Sequence, residues 1–330
     1  MAASRAGVLL TAFGGPDSIE SVGPFMERFM DRAPAPAVLA AAQDKYRAIG
    51  GSSPLPAIAA AIAASLEHHL TVRGHDAVVR AGMRYWEPSI ESALTDLVLQ
   101  GARRIVMVSL SAFESRVTCE SYRIAAHEAA SDIEYVDVCE APVLHMAPQY
   151  RDFFGHALAH ALGNSGATQP LVVMTAHSLP AEDLQDDDPY VGGLRDVSEA
   201  VATIAGLAGG ADFDDEERLP AIAAFGSLEP PTPWLLAYQS RGARPGQWLG
   251  PDLERVMEIA AATGYDGVVV APIGFATDHM ETLYDLDLKA AEWAIALGID
   301  FARTRVPNDD DSFVEALVWA VEPLLTDDQR

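Results

Sequence analysis

Two carboxylates, Glu281 and Asp285, are spaced so that a helix would place both on one face. An apolar run at residues 267–271 predicts a buried parallel strand just before them. We expect a helix to begin near Asp278, with Glu281 three residues on, as in a capping box. Residues four apart on a helix lie one turn from each other. The pair is therefore placed to receive a divalent cation at a strand end, although a capped, solvated surface helix explains the spacing equally well.

His177 is the next group that could do chemistry. It follows an apolar run at residues 171–175 that predicts a strand, and a rigid turn at residues 178–180 comes after it. Ligands in open parallel sheets bind outside the carboxyl ends of the strands, so we expect the imidazole to face the ligand. An imidazole accepts a proton near neutral pH and can ligate a metal, although a single histidine is more often structural.

A segment rich in turn residues, 238–252, is predicted to be a strand end followed by a loop. It carries two cations, Arg241 and Arg244. The segment is either a structural loop or the wall of an active site.

The composition is that of a globular chain long enough for two domains. It has 330 residues, of which 49% are hydrophobic and 21% charged. The net charge of −26 predicts repulsion of nucleic acid and of anionic membranes. Apolar stretches such as 57–64 are too short to span a bilayer, and no secretory signal is recognised, so we expect a cytoplasmic location without stable membrane insertion.

Cysteine is scarce. Cys119 and Cys139 are the only two in the chain, and a cluster held by four thiolates needs more. The sequence therefore predicts that the protein has no iron–sulfur cluster.

Strand and helix patterns alternate along the chain, which predicts an α/β fold with parallel sheets covered on both faces. We expect two doubly wound domains, residues 1–164 and 165–330, that face a central cleft. Three helical patterns lie between the first two strands and predict a lip over the strand ends in the first domain. The second domain would carry His177, Glu281 and the terminal helix. Residues 208–232, rich in Gly, Asp and Pro, predict a long solvated loop.

Several short motifs lie in separate parts of the chain. They are Phe-Gly-Gly-Pro at 13–16, Tyr-Arg-Ala-Ile-Gly-Gly-Ser-Ser-Pro-Leu at 46–55, Gly-Met-Arg-Tyr-Trp at 82–86, Thr-Ala-His-Ser-Leu-Pro at 175–180, Tyr-Gln-Ser-Arg at 238–241, Trp-Leu-Gly-Pro at 248–251 and Asp-His-Met-Glu-Thr-Leu-Tyr-Asp at 278–285. Each motif alone is weak evidence. In this order, over about residues 7–305, they closely resemble the ferrochelatase family.

The resemblance implies a lyase of haem and porphyrin biosynthesis that inserts ferrous iron into a porphyrin bound between two Rossmann-like domains. It makes His177 and Glu281 the catalytic and metal-binding pair, with Asp285 continuing an acidic row. It also implies five positions that contact the macrocycle, namely Phe13, Lys45, Tyr46, Ser53 and Tyr122. Porphyrin and Fe²⁺ would be the substrates, with no further cofactor, and the product could pass to other haem-pathway enzymes.

The residues suit this chemistry. A free-base porphyrin carries two N–H protons in a flat ring, so the ring must be bent and deprotonated as the metal arrives. His177 can accept one proton, and Glu281 can ligate iron or relay a proton. An imidazole and a carboxylate hold ferrous iron without the thiolates that would trap it.

The chain departs from the family pattern at two positions. Phe13 stands where some bacterial members acting on coproporphyrin carry a tyrosine that ligates iron. Lys289, two helical turns beyond Glu281, stands where some members extend the acidic row. We expect the iron path to be shorter or differently oriented as a result.

Four cations in residues 18–52 bear on the choice of porphyrin. Arg28, Arg32, Lys45 and Arg47 favour recognition of propionates, of which coproporphyrin III has four and protoporphyrin two. The alternatives are a protoporphyrin IX ferrochelatase, a related cobalt or nickel chelatase for another tetrapyrrole, and a tetrapyrrole-binding protein without activity. Two of the cations, Arg28 and Arg32, could also be a solvated helix face.

Overall fold

The computed structural model describes residues 5–184, 188–207, 210–211, 232–242 and 244–325. The chain forms two compact units. The first consists of the described parts of Met1–Tyr150, Ala276–Met280 and Pro307–Arg330. The second consists of the described parts of Arg151–Phe275 and Glu281–Val306. Both units are α/β structures built on a parallel sheet, which confirms the predicted fold class.

The first unit contains a sheet of four parallel strands in the order β2-β1-β3-β4. These strands are β1 (Ala6–Ala12), β2 (Ala77–Met83), β3 (Arg104–Ser109) and β4 (Asp137–Glu140). Every residue of β1 is buried, because helices cover both faces of the sheet. The carboxyl end of β1 leads directly to Phe13.

Helices join the strands of the first unit. They are α1 (Val22–Met30), α2 (Pro36–Ala48), α3 (Leu55–Val72), α4 (Ile90–Leu99), a π-helical segment (Arg116–Glu120), α5 (Ser121–Ser131) and a 3₁₀ turn (Leu144–Met146). Helix α6 (Pro148–Asn164) begins in this unit and continues in the second. The three helices predicted between the first two strands are confirmed as α1, α2 and α3.

The second unit contains five parallel strands in the order β6-β7-β5-β8-β9. They are β5 (Pro170–His177), β6 (Gly210–Ala211), β7 (Trp234–Gln239), β8 (Gly267–Ala271) and β9 (Asp300–Arg303). The helical segments are a 3₁₀ turn (Ala181–Asp183), α7 (Pro189–Ile204), α8 (Leu253–Ala262), a π-helix (Glu281–Ala290) and α9 (Ala291–Leu297). The central strand β5 pairs with β7 on one side and with β8 on the other.

The terminal helix α10 (Asp311–Val321) belongs to the first unit, which corrects its predicted place in the second domain. It packs against α3 and is followed by a 3₁₀ turn, Glu322–Leu324. Glu315 on α10 accepts from Arg73 at 2.5 Å and lies 2.9 Å from Nδ1 of His69. The predicted boundary at residue 165 also differs from the observed change of unit after Tyr150. Chain order does not reveal such packing between distant segments.

The predicted loop at residues 208–232 needs a correction where it is described. Residues Gly210–Ala211 form strand β6, which pairs in parallel with the start of β7. Most of the remaining predicted loop lies outside the described residues.

Helix α3 is longer than the apolar stretch 57–64 suggests. Its 18 residues have a mean hydropathy of 1.2, so by length and composition it is able to cross a membrane. A third of that window is buried within the protein, at Leu55, Ala59, Ile62, Ala63, Leu66 and Leu70. These residues form the face that packs against β2 and α10.

Candidate active site

His177 is the last residue of β5, where the turn after the strand is held on several sides. The Ser178 backbone N–H donates to the Gln239 carbonyl at 2.8 Å, and its hydroxyl donates to the Leu249 carbonyl at 2.8 Å. The Tyr190 hydroxyl donates to the carbonyl oxygen of His177, also at 2.8 Å. The imidazole is therefore carried on a fixed backbone at the carboxyl end of the central strand, as the sequence predicted.

Glu281 reaches the same edge of the sheet from β8. The loop after β8 lies tightly against β5, because the Gly274 N–H donates to the Thr175 carbonyl at 3.0 Å. A Cβ at Gly274 would lie 2.5 Å from the Cβ of Ala176, so only glycine permits this approach. β5 and β8 are hydrogen-bonded neighbours, and their carboxyl ends consequently bring His177 and Glu281 together.

The helix that begins at Glu281 is a π-helix, which differs from the α-helix expected from the spacing. Its i→i+5 hydrogen bonds keep residues four and five apart on one side, so Glu281 and Asp285 still share a face. π-Helical segments are rare and occur frequently at functional sites. Upstream, Asp278 is tied to Asn308 in the first unit: the Asp278 N–H donates to Asn308 Oδ1 at 2.8 Å, and Asn308 Nδ2 donates to the Asp278 carboxylate at 2.7 Å.

The centre of the site is a close contact between His177 and Glu281. Nε2 of His177 lies 3.1 Å from Oε1 of Glu281, and the two side chains are 31% and 24% exposed. Nδ1 of His177 donates to the Ser178 carbonyl at 2.5 Å. Since that bond fixes the proton on Nδ1, Nε2 is the atom that either carries a second proton or presents its lone pair to a metal.

The charge of this pair follows from its surroundings. Burial alone would lower the pKa of His177. The charge and hydrogen bond of Glu281, the Ser178 carbonyl and the charge of Asp285 oppose burial and raise that pKa to about 9. At neutral pH the metal-free protein therefore holds an imidazolium against a carboxylate. A divalent cation bound by both groups would take the place of the Nε2 proton.

Asp285 lies one turn along the π-helix and is bound by the residue that follows β7. The Ser240 hydroxyl donates to Oδ2 of Asp285 at 2.6 Å. Ser240 has a φ of 60°, a left-handed conformation that few non-glycine residues adopt. Asp285 also contributes to the raised pKa of His177, which is consistent with the predicted acidic row.

Lys289 follows the acidic row on the same helix, at the position where the sequence places a cation. Lys289 donates to Glu292 at 2.8 Å, and its ammonium lies 6.0 Å from the centre of the Tyr284 ring. Burial is slight here, and the bond to Glu292 raises the pKa of Lys289. A fixed positive charge therefore follows the two carboxylates on this helix.

The cations in the loop after β7 serve a structural purpose. Arg244 donates to Glu182 at 2.5 Å and to Asp183 at 2.7 Å. Arg241 donates to the Gly246 carbonyl at 3.4 Å. The residues of this segment that approach the acidic pair are Gln239 and Ser240, which sequence reasoning missed. Two polar residues in succession at the end of a buried strand were the available signal.

Phe13 lies in an aromatic cluster of the first unit. Its ring centre is 4.7 Å from that of Tyr85, 5.7 Å from Phe29 and 6.0 Å from Phe25. Tyr46 is buried against the same cluster. These side chains form an apolar, aromatic surface of the kind that a flat macrocycle requires, and their predicted contact with it stays a prediction.

The other predicted macrocycle residues differ in exposure. Ser53 is nearly buried, and its hydroxyl accepts from the Leu55 N–H at 3.3 Å. Tyr122 is fully buried in the core, with its hydroxyl 3.4 Å from that of Ser111, and burial raises the pKa of its phenol. The Tyr122 side chain therefore has no exposed surface in this structure, whereas Lys45 is half-buried on α2.

Arg28 and Arg47, which are predicted to bind propionates, already have carboxylate partners. Arg28 donates to Glu87 at 3.0 Å and lies over the Trp86 ring at 4.8 Å. Arg47 donates to Asp44 at 2.6 Å. A propionate would have to compete with these exposed pairs, each of which contributes little stability.

Both cysteines are poor candidates for cluster ligands. Cys119 is buried, Cys139 is half-buried, and burial raises the pKa of both thiols. Thiolates are the ligands of iron–sulfur clusters. We expect protein purified without oxygen to lack the visible absorption of a cluster. The measurements are the absorption spectrum and the contents of iron and acid-labile sulfide. Stoichiometric iron and sulfide would contradict this prediction.

The fold is that of the chelatases. The sirohydrochlorin chelatase SirB from Bacillus subtilis subspecies spizizenii, in complex with cobalt, superposes with a TM-score of 0.53 at 11% identity, covering 97% of this chain and 95% of that chain. SirB from Bacillus subtilis with Fe³⁺ gives a TM-score of 0.56 at 11% identity, covering 98% and 96%.

The ferrochelatase family model matches residues 5–324, and the chain belongs to this family. It is thus an enzyme of the class that inserts a metal ion into a porphyrin. A ferrochelatase from Deinococcus radiodurans is 29% identical over 322 residues, covering 96% of this chain and 95% of the relative. Coproporphyrin III ferrochelatases from Nocardia farcinica and Mycolicibacterium smegmatis are each 32% identical, covering 94% and 96% of this chain and 86% and 89% of theirs.

Proposed function

We propose that this protein inserts ferrous iron into coproporphyrin III. The observation that carries the proposal is the pair of His177 and Glu281, with 3.1 Å between Nε2 and Oε1. One imidazole and one carboxylate bind Fe²⁺ through nitrogen and oxygen, which suits a borderline cation. Two protein ligands leave coordination positions for the porphyrin nitrogens, so the ion can be transferred.

The pair also accounts for the protons. Insertion releases two protons from the porphyrin nitrogens as Fe²⁺ enters. When Fe²⁺ first binds, the Nε2 proton of His177 leaves to solvent. As iron moves into the ring, Nε2 becomes free and accepts one porphyrin proton, while Glu281 relays the other toward solvent. The imidazolium–carboxylate pair of the metal-free protein is thereby restored.

The aromatic cluster around Phe13 supplies the binding energy in this proposal. Bending the macrocycle costs energy, which contacts to the rest of the ring can offset. Phe13, Phe29 and Tyr85 offer such contacts, and the Phe13 side chain has no atom that can ligate iron. The product would consequently lack a protein ligand at position 13.

Two observations favour coproporphyrin III as the substrate. Relatives that bear the name coproporphyrin III ferrochelatase, including those from Nocardia farcinica and Mycolicibacterium smegmatis, match nearly the whole chain. The chain has a net charge of −26, yet four cations lie within residues 18–52. The cytoplasmic location and the handover to other haem-pathway enzymes stay predictions.

Anaerobic incubation with Fe²⁺ and each porphyrin, followed by absorbance, tests the proposal directly. We expect iron insertion, with higher kcat/KM for coproporphyrin III than for protoporphyrin IX. Parallel incubations with Co²⁺ and Ni²⁺ test the choice of metal. Faster insertion of either metal than of iron would overturn the metal assignment. Porphyrin binding without turnover of any metal would identify a binding protein instead.

Neutralising Lys45 or Arg47 tests the propionate contacts. Each charge-assisted bond is worth about 1.5–3 kcal/mol when shielded and less when exposed. We therefore expect Lys45→Gln and Arg47→Gln to raise KM for coproporphyrin III by about 3–30-fold, and KM for protoporphyrin IX by less. The measurement is steady-state kinetics with both porphyrins at low and high salt, where salt should narrow the preference.

The matched control for these variants is Arg103→Gln. Arg103 is an exposed arginine of the first unit that donates to backbone carbonyls of Val98 and Ala102. Its loss should leave both KM values unchanged. Equal KM increases for the two porphyrins would show that Lys45 and Arg47 are solvated surface residues and do not recognise the extra propionates.

A further inference from the structure

Gln239, the last residue of β7, is hydrogen-bonded both to the segment that carries His177 and to Glu281. Its side-chain Oε1 accepts from the Thr175 hydroxyl at 2.8 Å. Its Nε2 donates to the backbone carbonyl of Glu281 at 3.3 Å and to the Ser240 hydroxyl at 3.4 Å. Its own backbone carbonyl accepts from the Ser178 N–H at 2.8 Å. One residue thus connects the turn that follows His177 with the first residue of the π-helix.

The strand register explains why this position can do so. β5 and β7 pair in parallel with His177 opposite Gln239. Thr175 lies two residues before His177, so its side chain is on the same face of the sheet. Both Thr175 and Gln239 are buried, with 0% and 3% exposure. Their hydrogen bond is therefore shielded from water and holds the amide in one place.

The partners also fix which way the amide points. The carbonyl of Glu281 can only accept, so Nε2 must face it, and Oε1 is left to accept from Thr175. Only a side chain with a donor and an acceptor at this distance can bridge the hydroxyl to the carbonyl. Leucine has nearly the same size and offers neither group.

We propose that Gln239 is a positioning residue for the metal pair. By binding the Glu281 carbonyl, it holds the start of the π-helix against β5 and β7. The Glu281 carboxylate then extends from a fixed backbone toward Nε2 of His177. The proposal rests on the assignment of His177 and Glu281 as the metal site under the proposed function.

Ser240 extends the same arrangement to the second carboxylate. It accepts from Gln239 Nε2 and donates to Asp285 at 2.6 Å. The two consecutive residues at the end of β7 therefore hold both acidic residues, Glu281 through its backbone and Asp285 through its carboxylate. Loss of Gln239 should disturb both carboxylates.

The experiment compares Gln239→Leu with variants at the other end of the bridge. Thr175→Val removes the hydroxyl that holds the amide, and Thr175→Ser retains it. The probe is Co²⁺, titrated into metal-free protein and followed by its visible absorption, alongside iron insertion kinetics. We expect Gln239→Leu and Thr175→Val to weaken Co²⁺ binding and to lower kcat/KM for Fe²⁺ by about 10–100-fold. KM for the porphyrin should change by less than about twofold, and Thr175→Ser should behave like the native protein.

Ser198→Ala is the matched control for lost stability. Ser198 is buried in the same unit, and its hydroxyl donates to the Leu194 carbonyl at 2.7 Å within α7. This variant loses a buried hydrogen bond away from the pair, so its Co²⁺ affinity should not change. Co²⁺ binding and turnover by Gln239→Leu equal to those of Ser198→Ala would overturn the proposal.

Two further outcomes are separable. Should Gln239→Leu fail to fold, the contrast between Thr175→Val and Thr175→Ser decides: equal Co²⁺ affinities overturn the positioning role, and a tenfold or larger difference supports it. If the native protein binds Co²⁺ but inserts no iron, the proposed function fails, while the Co²⁺ titrations still decide the role of Gln239.

Discussion

Replacing His177 with alanine is expected to lower kcat for iron insertion by about 10²–10⁴-fold, the usual contribution of a positioned acid or base. In the proposed function, the variant loses both a metal ligand and the group that accepts a porphyrin proton. Binding of the porphyrin should persist, because the residues predicted to contact the macrocycle lie elsewhere in the chain. Anaerobic insertion kinetics would measure kcat, and quenching of porphyrin fluorescence would measure binding.

His156→Ala is a suitable control for that variant. His156 is an exposed histidine on α6, in the same unit as His177. It should retain native activity. Near-native turnover by His177→Ala would contradict the assignment of the metal pair.

The position of His177 and Glu281 was largely predictable from sequence. Both follow apolar runs that form buried parallel strands, since the runs at 171–175 and 267–271 lie within β5 and β8. Ligand-binding side chains gather where parallel strands end. Because β5 and β8 are adjacent in the sheet, the residues after them meet. The sequence alone could not show that adjacency, which the resemblance to ferrochelatases supplied.

Features that depend on distant packing were not predictable. The spacing of residues 281–290 predicts an ordinary helix, whereas the structure has a π-helix there. The helix α10 follows the second sheet in the chain yet packs on α3 in the first unit. No local pattern records either choice, since propensity and periodicity report only on neighbours in sequence.

The hydrogen bonds that support the site were not predictable from sequence for a related reason. Gln239 and Ser240 are uncharged residues in a segment rich in turn residues, whereas Arg241 and Arg244 stand out because cations are scarce in the sequence. The structure gives Arg244 two carboxylate partners away from the pair and gives Gln239 the carbonyl of Glu281. A residue that positions another through its backbone leaves no spacing pattern in the sequence.

The second large effect is expected from Glu281→Gln, which should lower kcat/KM for Fe²⁺ by about 100-fold or more. Glutamine keeps the size of the side chain but removes the negative charge and the basic carboxylate oxygen to which the proposed function assigns cation binding and proton relay. The helix should remain folded, which circular dichroism would verify. Unfolding of the variant, in place of inactivity, would mark Glu281 as mainly structural.

The stability of the same variant should depend on pH in a defined direction. Against burial, which lowers it, Glu281 together with the Ser178 carbonyl and the charge of Asp285 raises the pKa of His177 from its ordinary 6.5 to about 9 in the folded protein. Because the pKa of His177 is higher in the folded protein, its protonation contributes to the free energy of unfolding. This contribution is fully present below pH 6.5 and is lost as pH rises through about 9. The difference in melting temperature between the native protein and Glu281→Gln should therefore be largest near pH 6 and shrink toward pH 9.5.

Glu292→Gln separates this effect from a general loss of charge. Glu292 pairs with Lys289 at 2.8 Å on the surface of the same helical run. The pKa of Lys289 is raised above 10.5, so Lys289 stays charged from pH 6 to 9.5. The difference in melting temperature between the native protein and Glu292→Gln should consequently stay constant over that range. A difference for Glu281→Gln that is equally flat, or that widens as pH rises, would mean that His177 and Glu281 do not form an imidazolium–carboxylate pair in the metal-free protein. The proton exchange proposed for iron binding would then lose its starting state.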